Sequence, residues 1–237
     1  MSRKKVIKAP LRRDFAKAYV GGRGFTSRMI WDLVPPQADP LGPDNVIALA
    51  SGPLAGTGLP LTSRIEISSI SPLNGLLGDG NAGGFFPTAL KFAGIDLLVF
   101  LGRAEKPVYL VIDGRYVELR DASHLWGRTT WETEEIIHRD HGDEFYVAST
   151  GIAGENLVRF SNTIVDKFRA GARGTGAIFG SKRLKAIAVR GGGSIEIADL
   201  REFEAYVEME LEFFKNEPFF REVVGVQGAV YLSLIHI

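Results

Sequence analysis

Val108-Tyr109-Leu110-Val111-Ile112-Asp113-Gly114-Arg115-Tyr116-Val117-Glu118-Leu119 is the stretch on which the fold turns. Two runs rich in β-branched and aromatic residues flank Asp113-Gly114. That dipeptide closes tight hairpins, because glycine enters left-handed backbone conformations without a Cβ clash. The pattern predicts strands over 108–112 and 116–119. Working outward, Val46–Ala50, Arg64–Ile70, Leu97–Leu101, Phe145–Thr150 and Ala186–Arg190 are also short strand-like runs, bounded by Gly, Pro, Asp and Asn. Helical spacing is rarer. It occurs in Phe15–Val20, with Asp14 as expected N-cap, Phe25–Val34, Phe86–Phe92, Thr130–His138, and Leu200–Lys215 behind an Asp199 cap. The balance predicts an α+β fold, strand-rich, with largely antiparallel sheets and a few short helices. Gly191–Ser194 reads as a hinge that divides 1–193 from 194–237, the latter expected to begin a second, helical domain. The apolar run Leu232–Ile237 lacks a closing turn or cap and is expected to mark a truncated end.

Composition sets the outer limits. A chain of 237 residues with 45% hydrophobic content can bury a sizeable core. Lysine plus arginine equal aspartate plus glutamate at 28 each, so no global field draws in nucleic acid or an anionic membrane. Any anion site must therefore be local. The absence of cysteine removes disulfides, thiolate metal sites and cysteine nucleophiles, and fits a reducing, cytoplasmic setting. No apolar run approaches the roughly 18 to 20 residues of a membrane span, and Met1–Pro10 is basic without the apolar core of a signal peptide.

Three glycine-rich segments are the candidate binding elements, although each taken alone reads equally as a plain turn. Gly78-Asp79-Gly80-Asn81-Ala82-Gly83-Gly84 before Phe85–Phe92 matches the dinucleotide string formally, with Glu105 near the place of a ribose-binding acid. The context argues against that use, since Pro72 and Asn74-Gly75 occupy the place of a buried strand and Gly94 ends the helix early. What survives is a loop of free backbone N–H groups at a helix start, with Asn81 able to offer its amide to a metal or a heterocycle. A second class of function, a non-catalytic nucleotide- or phosphate-binding module, would use this same loop.

Arg169-Ala170-Gly171-Ala172-Arg173-Gly174-Thr175-Gly176 carries two arginines among small residues. Forked guanidinium contacts suit phosphate oxygens, and small neighbours let a planar ligand approach the backbone. Gly52-Pro53-Leu54-Ala55-Gly56-Thr57-Gly58 leads to Arg64 at the start of a strand, which reads equally as an exposed edge charge. There is no H-E-x-x-H and no G-x-S-x-G. His138 and His141 stand at the end of a helix, where a solvated terminus accounts for them.

Taken together, the segments resemble the aldehyde:ferredoxin oxidoreductase family in order and spacing. The resemblance is carried by Val20-Gly21-Gly22-Arg23-Gly24, Gly52–Thr57, Ser71-Pro72-Leu73-Asn74-Gly75 with Asn81-Ala82-Gly83-Gly84, and Leu90-Lys91-Phe92-Ala93-Gly94. It continues through Ala104–Tyr109, Asp121–Gly127, Gly154-Glu155-Asn156-Leu157-Val158 and Gly180–Ala186, covering about Ala18 to Ala229. It implies an N-terminal base of antiparallel β structure beneath a tungsten or molybdenum ion held by two molybdopterins, with Mg2+ between the pterin phosphates. Carried over by position, Arg64 and Arg169 are implied phosphate or pterin contacts. Asn81 and the Ala170 carbonyl are implied magnesium ligands, and Gly83, Ala172 and Arg173 lie close to the cofactor. Ala172 stands where the family usually has glycine, and the loop through Gly176 is one residue shorter than its common form.

For a complete enzyme the resemblance implies oxidation of an aldehyde to a carboxylic acid, a [4Fe–4S] cluster and ferredoxin as acceptor. A homodimer is compatible with it. The cluster ligands and acid–base groups are expected downstream, so no residue here is assigned a catalytic role and the fragment alone is expected to be inactive.

Overall fold

The structure, a computed structural model, describes residues 5–225. The apolar run Leu232–Ile237 lies outside the described residues. The chain divides into two compact units, one formed by 1–56 with 62–195 and the other by 57–61 with 196–237.

The larger unit opens with helices α1 (Arg13–Tyr19) and α2 (Arg23–Leu33). Strands β1 (Ile47–Ser51), β2 (Arg64–Ile70) and β3 (Leu77–Gly83) follow, then helix α3 (Phe86–Phe92) and strand β4 (Leu97–Phe100). These four strands make the first sheet, in the order β3-β2-β1-β4, antiparallel throughout. Next come β5 (Val108–Asp113), β6 (Tyr116–Asp121), helix α4 (Thr130–His141), β7 (Tyr146–Ser149) and the single-turn α5 (Ile152–Glu155). Strands β8 (Thr163–Val165) and β9 (Arg169–Gly171), helix α6 (Thr175–Ser181) and strand β10 (Leu184–Arg190) complete the unit. The second sheet runs β6-β5-β10-β7-β8-β9, and its one parallel pair is β10 with β5. The expected strand-rich α+β architecture is what forms.

Period-two alternation explains the layers. Ile47 and Leu49 of β1, Ile65 and Ile67 of β2, Val108, Leu110 and Ile112 of β5, and Ile187 and Val189 of β10 meet between the two sheets with Phe86, Leu90, Ile178 and Phe179. The intervening residues face outward, yet many are buried by a helix. Tyr109, Val111, Val147, Ala186 and Ala188 pack with Ile137 of α4, and Val46 and Ala48 pack with Ile30 of α2. Strands covered on both faces therefore appear in sequence as near-continuous apolar runs.

Local chemistry sets the ends. Thr129 and Glu132 form a reciprocal capping box at the start of α4. The expected Asp14 cap does not form: the N-cap of α1 is Arg12, and Asp14 sits in the first turn, 3.1 Å from the Arg12 guanidinium. Helix α2 begins at Arg23, two residues before the expected Phe25, and α4 continues to His141. The β5–β6 turn is Gly114-Arg115, since Asp113 pairs with Tyr116, and Gly114 supplies the positive φ of 54°.

In the smaller unit, α7 (Leu200–Asn216) starts at Asp199, whose carboxylate accepts from the Glu202 N–H at 3.0 Å, as expected. A π-type turn at Phe219–Val224 follows, and Phe213, Phe214, Phe219 and Phe220 form an aromatic cluster.

Candidate functional site: an exposed arginine surface at β3 and β9

The largest departure from the sequence reading is at Gly78–Gly84. Residues 77–83 form β3, in register with β2 from Ile70↔Leu77 to Arg64↔Gly83. The expected loop of free N–H groups is replaced by a sheet strand, and no dinucleotide turn exists there. The nucleotide-module reading falls with it. The glycines have a packing reason instead. A Cβ on Gly80 would stand 2.6 Å from the Ala172 nitrogen and 2.8 Å from its oxygen, and one on Gly78 would meet the Ser71 Cβ at 2.8 Å. β3 thus lies against the β9 segment with no room for side chains between the two backbones. Arg169–Gly176 is likewise ordered structure, forming β9, a turn with left-handed φ at Arg173 (68°) and Gly174 (80°), and the first residues of α6.

This contact brings the expected residues together from two sheets. Arg64 and Asn81 face the same side of β2 and β3, both exposed, with the Arg64 Nε donating to the Asn81 amide oxygen. The Asn81 Nδ2 donates to the Glu66 carboxylate at 2.9 Å. Both ends of that amide are therefore engaged within the protein. Gly83 is open, since an added Cβ would meet only the Arg64 Nη1 at 3.4 Å and the Ser63 carbonyl at 3.7 Å. Across the seam, Arg169, Ala170, Ala172 and Arg173 are all exposed. Arg169 and Arg173 have no ion-pair or side-chain hydrogen-bond partner among the described residues.

Several residues of this face have no site role assigned from the sequence. Arg23, at the start of α2, reaches Asp79 at 2.6 Å and Glu66 at 3.7 Å. Glu66 is buried, and burial pushes its carboxyl above the ordinary range, opposed by the Asn81 hydrogen bond. Asp166, at the β8–β9 turn, accepts from the Phe85 N–H at 2.7 Å and the Phe86 N–H at 2.9 Å. Burial raises its pKa too, against the pull of those two amides. Among the described residues no group of three His, Cys, Asp or Glu could hold a metal ion. His138 and His141 are accounted for by the Phe145 carbonyl and the Tyr109 hydroxyl, at 2.8 and 3.0 Å. Among the described residues no helix is long and apolar enough to cross a membrane.

Fold and face define a class: a two-sheet α+β domain with exposed guanidinium groups and bare backbone at the seam between its sheets. Comparison with known proteins gives that class a family. The family described as "Aldehyde ferredoxin oxidoreductase, N-terminal domain" matches residues 1–191. The tungsten-containing aldehyde ferredoxin oxidoreductases of Pyrococcus furiosus and Thermococcus kodakarensis are each 44% identical over 207 residues, covering 86% of this chain and 34% of theirs. The aliphatic sulfonate oxidoreductase WOR-like subunit of P. furiosus is 32% identical, covering 91% of this chain and 37% of its own. Among solved structures, the active-site complex BamBC of benzoyl coenzyme A reductase superposes with a TM-score of 0.85 at 35% identity, covering 87% of this chain and 32% of that one. The chain belongs to the aldehyde ferredoxin oxidoreductase N-terminal domain family. It spans about a third of the length of the curated relatives it matches.

Proposed function

We propose that residues 1–193 are the cofactor-binding domain of a tungsten-dependent oxidoreductase that converts aldehydes to carboxylic acids. The face built from Arg64, Asn81, Gly83, Arg169, Ala170, Ala172 and Arg173 would cradle the phosphates of a bis-molybdopterin carrying tungsten, or molybdenum in its place. The observation that carries the reading is the pair Arg169 and Arg173, exposed and without an ion-pair or side-chain hydrogen-bond partner among the described residues, beside the bare Gly83 and the Arg64 guanidinium. Such an arrangement fits an anion, because guanidinium forks match phosphate oxygens and missing side chains admit a flat ring system to the backbone.

The bound metallopterin supplies the two-electron redox chemistry, and the protein supplies binding and orientation. Arg64 is already steered by Asn81, so its direction is set before a ligand arrives. The Asn81 amide is engaged by Arg64 and Glu66 and its carbonyl meets the Arg64 Nη2 at 3.5 Å, so a Mg2+ held by Asn81 and the Ala170 carbonyl would share Asn81 with those groups. The names of the two 44% relatives support an aldehyde substrate and a ferredoxin partner. Other relatives share this domain while their names point to a sulfonate or a coenzyme A thioester, so substrate choice is assigned to the remainder of the longer protein. The [4Fe–4S] cluster, the ferredoxin contact and any self-association belong with that remainder, in a cytoplasmic enzyme.

The test is expression of the gene with its downstream sequence in a host that makes metallopterin, followed by measurement of tungsten, molybdenum and phosphate. About one metal per chain is the expected result, as for other stoichiometric metal centres. A purified protein holding neither metal would overturn the reading.

A further inference from the structure

Arg64 and Arg169 sit on different sheets, so something must fix the distance between them. The link can be traced through hydrogen bonds. Ser63, adjacent to Arg64, donates its hydroxyl to the Gly84 carbonyl at 2.6 Å. The next two amides, Phe85 and Phe86, donate to the Asp166 Oδ2 at 2.7 and 2.9 Å. Asp166 opens the three-residue turn that ends at Arg169, where β8 passes into β9. Its own N–H is tied to the Val147 carbonyl at 2.9 Å, and the Lys167 N–H donates to the Glu134 carboxylate at 3.1 Å.

Two features mark this as more than a surface turn. Asp166 and Lys167 take left-handed φ values of 46° and 60°, which residues other than glycine adopt only where the surrounding structure holds them there. Gly84, at φ 114°, leaves the space the carboxylate fills: a Cβ there would lie 2.3 Å from the Asp166 Oδ2 and 3.6 Å from the Arg169 Cδ. Asp166, with 9% of its surface exposed, is wedged between the glycine pair of one sheet and the arginine strand of the other.

We propose that Asp166 is a positioning residue for the anion-facing surface: by accepting from Phe85 and Phe86 it sets the separation of Arg64 on the first sheet and Arg169 on the second. The inference rests on the cofactor reading above. Its ligand is the phosphate portion of the metallopterin, which both arginines must reach at once.

The experiment compares Asp166→Ala, Asp166→Glu and Asp166→Asn in the protein expressed with its downstream sequence, reading metal per chain together with hydrogen exchange at the Phe85 and Phe86 amides. Asp166→Ala removes the acceptor. Asp166→Glu keeps the charge but moves it out by one methylene. Both are expected to retain about a tenth of the wild-type metal, the usual scale for loss of an outer-shell support, with faster exchange at the two amides. Asp166→Asn keeps an acceptor in place and is expected to load within about twofold of wild type, well short of that outer-shell loss. If Asp166→Ala does not fold, the Glu and Asn variants decide. Metal-loaded wild type with an equally loaded Glu variant overturns the inference alone, as does an Asn variant depleted like Ala. A wild type without metal overturns the cofactor reading and this inference with it.

Discussion

Lys182 and Lys185 lie wholly inside the larger unit, whereas Arg169 and Arg173, a short way upstream, stand on its surface. The interior supplies the two lysines with acceptors. The Lys182 ammonium donates to the carbonyls of Pro43, Asn45 and Gly102, and that of Lys185 to the Arg128 carbonyl at 2.7 Å and to the Glu155 carboxylate. The arginines receive nothing comparable among the described residues. The difference separates cations that hold the fold from cations available to a ligand, a distinction that charge counting cannot make.

The contrast can be broken by energetics. Glu155→Ala would leave Lys185 charged, buried and without its counter-ion, and is expected to lower unfolding stability by about 3–5 kcal/mol in a denaturant titration. A loss below about 1 kcal/mol, the range of exposed pairs, would place Lys185 with the surface cations. Gly80→Ala tests the seam beneath the arginines. Its Cβ would strike Ala172 backbone at 2.6 Å, so a loss of about 1–3 kcal/mol is expected in thermal melts. Gly83→Ala, whose nearest neighbour would be 3.4 Å away, should melt close to wild type.

A smaller effect concerns pH. Burial and the nearby Arg103 push Lys182 down from 10.5 to about 8. Across that window the unfolded chain keeps a proton that the folded chain has released, so at this site rising pH favours the folded state. The stability advantage of wild type over Lys182→Met should therefore grow between pH 8 and pH 10.5. An advantage that is flat or falls with pH would contradict a depressed lysine. Smallest of all, Arg169→Gln and Arg173→Gln are expected to change stability by no more than about 0.5 kcal/mol while reducing the metal content of the longer protein. A cost like that of Glu155→Ala would show that these arginines hold the fold after all.

The parts legible in sequence are those whose signal is local. The β5–β6 hairpin announces itself through apolar runs around Asp113-Gly114, and α7 through the Asp199 cap. β3 was not legible, because Gly78, Gly80 and Gly83 have low intrinsic strand preference and the strand exists only by pairing with β2. The site followed the same division. Arg64, Arg169 and Arg173 were visible as cations among small residues. Asp166 was not, since its partners Phe85 and Phe86 lie about eighty positions away and nothing in its own neighbourhood foretells them.

The position of β10 has a consequence for how the domain is made. It lies between β5 and β7, parallel to the first and antiparallel to the second. The β5–β6 ribbon and the β7-β8-β9 ribbon are each contiguous in sequence, so each can form early, and each then presents an unpaired apolar edge. During synthesis those edges stay open until residues 184–190 leave the ribosome and insert between them. Pairing over such sequence separation is slow. The expected bottleneck is thus the final strand: Ile187→Val should slow refolding, whereas Val117→Ala in β6 should mainly hasten unfolding. The opposite pattern in stopped-flow traces would put the hairpins, not the insertion of β10, at the rate-limiting step. Until that strand is in place, the nascent domain is two adhesive half-sheets, and its yield in the cell depends on how long they wait.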